Sequence, residues 1–171
     1  MARAEPLGEN QREPMPTDSQ RMIEVTLGRI ILREDSDQQW IVLHERGGER
    51  SFPIVIGNAE AMEIQRVVEG QKTVRPLTHA LLHAAIKALG ATLKRVDIVD
   101  LRQNTFFAQL VLEGAHDQSL VVVDARPSDA VALALRARCP IRASEAVIRQ
   151  AVAQGTDPSP SPEPPEDEDE S

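Results

Sequence analysis

The sequence predicts one mixed α/β domain of the α+β kind, with helices packed on a mostly antiparallel sheet. Two observations predict it. The order of periodicities is three strand-like runs, two helical runs, three more strand-like runs and two more helical runs. The chain has 171 residues, 41% of them hydrophobic, which supplies one core of ordinary size. The domain is expected over about residues 21–153. Residues 1–20 are rich in Pro, Glu and Gln and lack periodicity, so a disordered segment is expected there. Residues 154–171 read as a disordered Pro-rich acidic tail, for the same reason.

Along the chain, IEVTLGRIIL alternates Ile23, Val25 and Leu27, the period of a half-buried strand. The polar stretch REDSDQQ turns it into a second strand over Trp40–Leu43, and ERGGER leads to a third, SFPIVIG. A helix is expected to start at Asn58 and run to Gly70. In RPLTHALLHAAIKALG, Thr78 is a candidate cap or Pro76 a first-turn residue. Leu82, Ala85, Ile86 and Leu89 form its apolar stripe, and Gly90 ends it. Three strands follow in TLKRVDIV, TFFAQLVLE and SLVVVDA, with turns around Arg102–Asn104 and His116–Gln118. The Ala-rich run after Ser128 is helical up to Cys139-Pro140, and Ser144 opens a last helix.

Charge and composition narrow the function. The formal net charge is -8, yet seven acids and no Lys or Arg lie from Thr156 onward, so the domain itself is close to neutral. A neutral domain with only Trp40, Phe52, Phe106 and Phe107 as aromatics does not offer a platform that stacks many bases. The single Cys139 rules out an intrachain disulfide and a cysteine metal cluster. No run reaches the roughly 18 apolar residues of a membrane span, and the first residues carry no apolar signal region. A soluble, cytoplasmic protein is the expectation. No GxGxxG or GxxxxGK[ST] occurs, so nucleotide-binding loops have no support.

The segment DARPSDAVALAL carries the first candidate site. Ser128 is expected to cap the helix, with Asp129 favoured in its first turn and Pro127 restricting the chain before it. Arg126 is left over by capping. It suits a phosphate beside a helix start, or an ion pair with Asp124, Asp129 or a distant acid. Arg75 stands near another helix start and suits phosphate in the same way. His79 and His83 share a metal-ligand spacing, but HALLH lacks the zincin glutamate and leaves zinc two ligands short. His79 is therefore the candidate general base or acid. Asp100, Asp124 and Asp129, with Glu60, are the carboxylates that Mg²⁺ or Mn²⁺ would need, if the fold brings them together. Structural ion pairs are the equal alternative for these carboxylates and for Asp97.

FPIVIGNAEA (52–61), RPLTHALL (75–82), VDIVDLRQNTFFAQL (96–110) and DARPSDAVALAL (124–135) resemble, in order and spacing, the bifunctional nuclease family. The resemblance covers about residues 22–150 and implies hydrolysis of RNA or DNA phosphodiesters. It implies polar site positions at Glu60, Arg75, Thr78, His79, Asn104, Asp124, Arg126, Ser128 and Asp129. Of these, Glu60, His79, Asp124 and Asp129 would be catalytic, Asp124 and Asp129 would hold a metal, and the others would bind substrate. A homo-oligomer, dimer or trimer, is implied as well. Two positions depart from the family pattern: Ala80 stands where RPLTHDLL has Asp, and Phe107 where Tyr is common. A non-catalytic regulatory or interaction domain of the same fold is the second reading.

Overall fold

The computed structural model describes residues 21–114 and 119–155. The expectations for residues 1–20, for His116–Gln118 and for the tail from 156 lie outside the described residues. The element order is β1 (Met22–Ile31), β2 (Gln38–Glu45), β3 (Ser51–Gly57), α1 (Asn58–Val68), α2 (Thr78–Ala88), β4 (Thr92–Arg102), β5 (Thr105–Glu113), β6 (Leu120–Ala125), α3 (Pro127–Ala137), β7 (Ile141–Ser144) and α4 (Glu145–Ala153). The mixed α/β class and the mostly antiparallel sheet agree with the sequence expectation.

One strand departs from it. The sequence order runs straight from the third helix to the last, yet Ile141–Ser144 form β7. The sheet order is β3-β2-β1-β7-β4-β5-β6, so this four-residue strand joins two halves. It pairs antiparallel with β1 and parallel with β4, the one parallel contact among the described residues. Four residues carry too little periodicity to be found alone. The strand is held from both sides instead. Ile141 and Ala143 are buried, and Arg142 forks onto its register neighbour Asp97 through two bonds of 2.8 and 3.0 Å.

The core gathers around α3. Ala130, Val131, Ala132, Leu133 and Ala134 are all buried, so the helix is enclosed all round rather than along one stripe. The small alanines let neighbouring elements approach its backbone. Strands β3 and β5, from opposite halves of the sheet, also meet, through the stacked rings of Phe52 and Phe106 with centroids 5.9 Å apart. Each fully buried Leu, Ile or Val contributes roughly 1.5–3 kcal/mol.

Three local expectations are corrected. Ser128 is not the cap of α3: the cap position is Arg126, with Pro127 first in the helix and no side-chain cap bond. Proline prefers the first helical position, where its missing N–H costs nothing, and this moves the cap back to Arg126. Thr78 likewise begins α2 without capping it, and Leu77 holds the cap position. The expected stripe on α2 is only partly buried. Ile86 is inside, whereas Leu82 and Leu89 are exposed because α2 rests on α3 at the margin of the molecule. The caps at Gly90 and Ser144 match expectation. Gly90 has the left-handed φ of 78°, and Ser144 Oγ accepts from Val147 N at 3.2 Å.

Candidate active site

The register of β6 and the start of α3 set the position of Arg126. Residues Asp124 and Ala125 pair with Gln109 and Ala108 at the end of β6. The chain then turns directly into α3, with Arg126 extended at φ -68° and ψ 145°, as a residue before proline prefers. Its guanidinium spans two elements. Nε donates to Asp129 Oδ2 at 2.8 Å, and Nη2 donates to Glu60 Oε1 at 2.7 Å and to Asp129 Oδ1 at 3.1 Å. Among the described residues Nη1 is the nitrogen left over, and the side chain is 66% exposed.

His79 completes the group from a third element, the first turn of α2. Its Nε2 lies 2.9 Å from Asp129 Oδ1. An ionised carboxylate only accepts, so Nε2 is the donor here, which in the neutral ring leaves the lone pair on Nδ1. Burial by itself would raise the Asp129 pKa, but hydrogen bonds from Arg126 and then His79 outweigh it and hold the carboxyl below its ordinary range. Asp129 first, then Glu60, keep Arg126 firmly protonated.

Glu60, Thr78, His79, Asp124, Arg126 and Asp129 all line one cleft of about 750 Å³ between α1, α2 and β6. Its floor is apolar, with Leu82, Ile86, Leu110 and Val123. Bonds tie Glu60, His79, Arg126 and Asp129 together. Asp124 is exposed on the strand, and its carboxylate makes no hydrogen bond or ion pair among the described residues. Ser128 and Asn104 line a neighbouring cleft of about 700 Å³, which shares Arg126 with the first. Asn104 sits in the β4–β5 turn with φ 60°, a conformation asparagine tolerates, so the turn alone accounts for its type. Arg75 is exposed and lines neither cleft.

This donor set falls short of what the metal expectation requires. Among the described residues no three His, Cys, Asp or Glu side chains are grouped to hold a metal ion. The oxygens of Asp129 already accept from a guanidinium and an imidazole, and Asp124 brings no third ligand. As arranged, the residues do not fit Mg²⁺ or Mn²⁺. His83 does not line the cleft; burial, then Lys87 and Arg136, hold its pKa below the ordinary histidine value. Asp97 and Asp100 sit in ion pairs with Arg142, Arg95 and Arg102, in line with the ion-pair alternative. Sequence reasoning allowed Arg126 a distant acid without identifying it; that acid is Glu60, 66 residues away. No local spacing signals it.

The described residues contain no helix long and apolar enough to cross a membrane. The chain is 43% identical, over 130 residues and 76% of each chain, to uncharacterized proteins from two strains of Mycobacterium tuberculosis. It is 30% identical over 112 residues to a protein of Oryza sativa subsp. japonica named bifunctional nuclease 2. That match covers 64% of this chain and 34% of the rice protein. The model of the bifunctional nuclease domain matches residues 41–155, which include all four residues of the bonded cluster. The chain belongs to the bifunctional nuclease domain family.

Proposed function

We propose that this protein hydrolyses phosphodiester bonds of RNA or DNA in the cleft between α1, α2 and β6. The observation that carries the reading is the bonded set of His79, Asp129 and Arg126, in which an oriented imidazole stands beside a guanidinium with a nitrogen to spare. His79 Nδ1 takes a proton from water, and the resulting hydroxide attacks phosphorus; the P–O bond to the leaving sugar breaks, and that sugar oxygen takes a proton from water. Asp129 fixes the ring and stabilises the imidazolium as it forms. Arg126 Nη1 meets the negative charge that builds on a non-bridging oxygen. Glu60 holds the other side of the guanidinium, so the arginine reaches the transition state with its position already set. Ser128, Asn104, Thr78 and Arg75 are proposed as contacts to the rest of the strand.

Incubation of the purified full chain with labelled RNA and DNA tests this, alongside His79→Ala, Arg126→Ala and Asp129→Ala. Runs with Mg²⁺, with Mn²⁺ and with chelator separate a divalent-ion requirement from a histidine base. Cleavage that is equal across the series would assign the activity to a contaminant and end the proposal.

The same reading includes a homo-oligomer. The edge strand β6 exposes Leu120, Val121, Val122 and Val123, and Leu81 of α2 is exposed as well. An open, β-branched strand edge is a surface that a second copy can extend. Val122→Lys is expected to lower the mass in light scattering; an unchanged mass would remove β6 from the interface.

A further inference from the structure

The bonded site has little net attraction for a phosphate strand. Arg126 and Arg66 in its cleft face Glu60, Glu63, Asp124 and Asp129. The attraction must come from beside it. A second, smaller cavity of about 340 Å³ adjoins the cleft, and Glu63, Arg66 and Leu77 belong to the walls of both.

In that cavity the balance is reversed. Glu63 is its one acid, 4% exposed, and it is shared by two arginines: Arg66 Nη1 on Oε2 and Arg136 Nη2 on Oε1, each at 2.5 Å. Lys72 adds a third cation and makes no ion pair among the described residues. One carboxylate cannot neutralise three cations. Nor can it satisfy their donors: Arg136 Nε is buried and has no hydrogen-bond partner among the described residues. A buried, charged donor without an acceptor is costly unless an anion or water supplies one. Ala80 completes the wall with a methyl group, leaving both room and positive charge.

We propose that this cavity is an anion subsite that takes a phosphate group. It extends the reading above, in which that phosphate belongs to the substrate strand, away from the bond being cut. Arg66, Lys72 and Arg136 bind the phosphate oxygens, and the walls shared with the cleft set the path of the strand.

The probe is a labelled, short 5′-phosphorylated oligonucleotide, bound to full-length His79→Ala protein at low salt and followed by anisotropy. Lys72→Glu and Ala80→Asp are added on that background. Lys72 is exposed, and an acid at the third residue of α2 suits the helix start, so both chains fold; circular dichroism checks this. Each is expected to weaken binding by about tenfold or more at low salt. Binding by both variants within roughly twofold of the parent overturns the subsite, as does a parent that binds no probe. Competition by millimolar inorganic phosphate assigns the site to free phosphate, and its failure to compete assigns it to a strand phosphate. Cleavage by the His79 protein is scored separately. Its absence, with binding still sensitive to the variants, removes the nuclease reading alone. Its presence, with insensitive binding, removes the subsite alone.

Discussion

Two arginines in this protein each sit between two carboxylates, and they do different work. Arg50 joins Glu45 at the end of β2 to Glu145 at the start of α4. All three of its nitrogens are engaged: Nε with Glu45, Nη1 with Glu145 and Nη2 with both. Arg126 joins Glu60 to Asp129 through Nε and Nη2 only, and its Asp129 also holds His79. The Arg50 side chain is 32% exposed and that of Arg126 is 66% exposed. The same ionic motif therefore ends in a closed clasp at one place and an open one at the other. An arginine among carboxylates is not itself a sign of a site. A spare donor, a histidine and an open cleft distinguish it.

Substitution at the open cluster is expected to give the largest effect. His79→Ala should lower the cleavage rate by about 10²–10⁴ with the fold retained, since it removes the base. Arg126→Ala should cost about 10²–10³ in kcat, because only its charge and spare nitrogen are lost from the transition state. Single-turnover rates on labelled RNA check both. If Arg50→Ala slows cleavage as much as Arg126→Ala, the distinction between the clusters fails.

Stability should show the reverse pattern. Arg50→Ala unpins α4 from the β2–β3 turn and should lower the melting temperature by about 2–4 °C, with turnover kept. A scan that shows Arg126→Ala melting earlier than Arg50→Ala would contradict the closed and open assignments.

Acid should loosen both clusters, with a small effect. Hydrogen bonds from Arg50 lead the causes that lower the pKa of Glu45 and Glu145, and Asp129 is also held low. The unfolded chain binds these protons first, so stability rises with pH across that window. The contribution is fully present above the ordinary carboxylate values, 4.5 for Glu and 3.8 for Asp, and is lost as pH falls through the lowered folded values. Urea midpoints between pH 6 and pH 3, about the range in which carboxylates titrate, should fall less steeply in Glu145→Gln than in the parent. Equal slopes would take Glu145 out of the acid response.

Asn104→Gly is the mildest test. Glycine accepts the φ of 60°, so the turn should stand and only the side chain be lost. A raised KM with an unchanged melting temperature would support a substrate contact. No change in either would leave Asn104 as a turn residue.

By itself the sequence determined the elements with strong local signals. The β1–β3 meander, the helix stops at glycine and the Ser144 cap follow from alternation, turn chemistry and side-chain reach within a few residues. It also placed Glu60, His79, Arg126 and Asp129 among the candidates, because their residue types and their places near helix starts suit charge and proton handling. The tertiary structure decided what those signals cannot carry. β7 exists because β1 and β4 hold it from both sides, not because Ile141–Ser144 favour a strand alone. Asp124 and Asp129, five residues apart, remain unbonded to each other, while Glu60, His79 and Arg126 meet Asp129 or its arginine across three helices. Local periodicity reports which face of an element is apolar. Which polar ends converge depends on how the elements pack around α3, and that is set by contacts between residues distant in the chain.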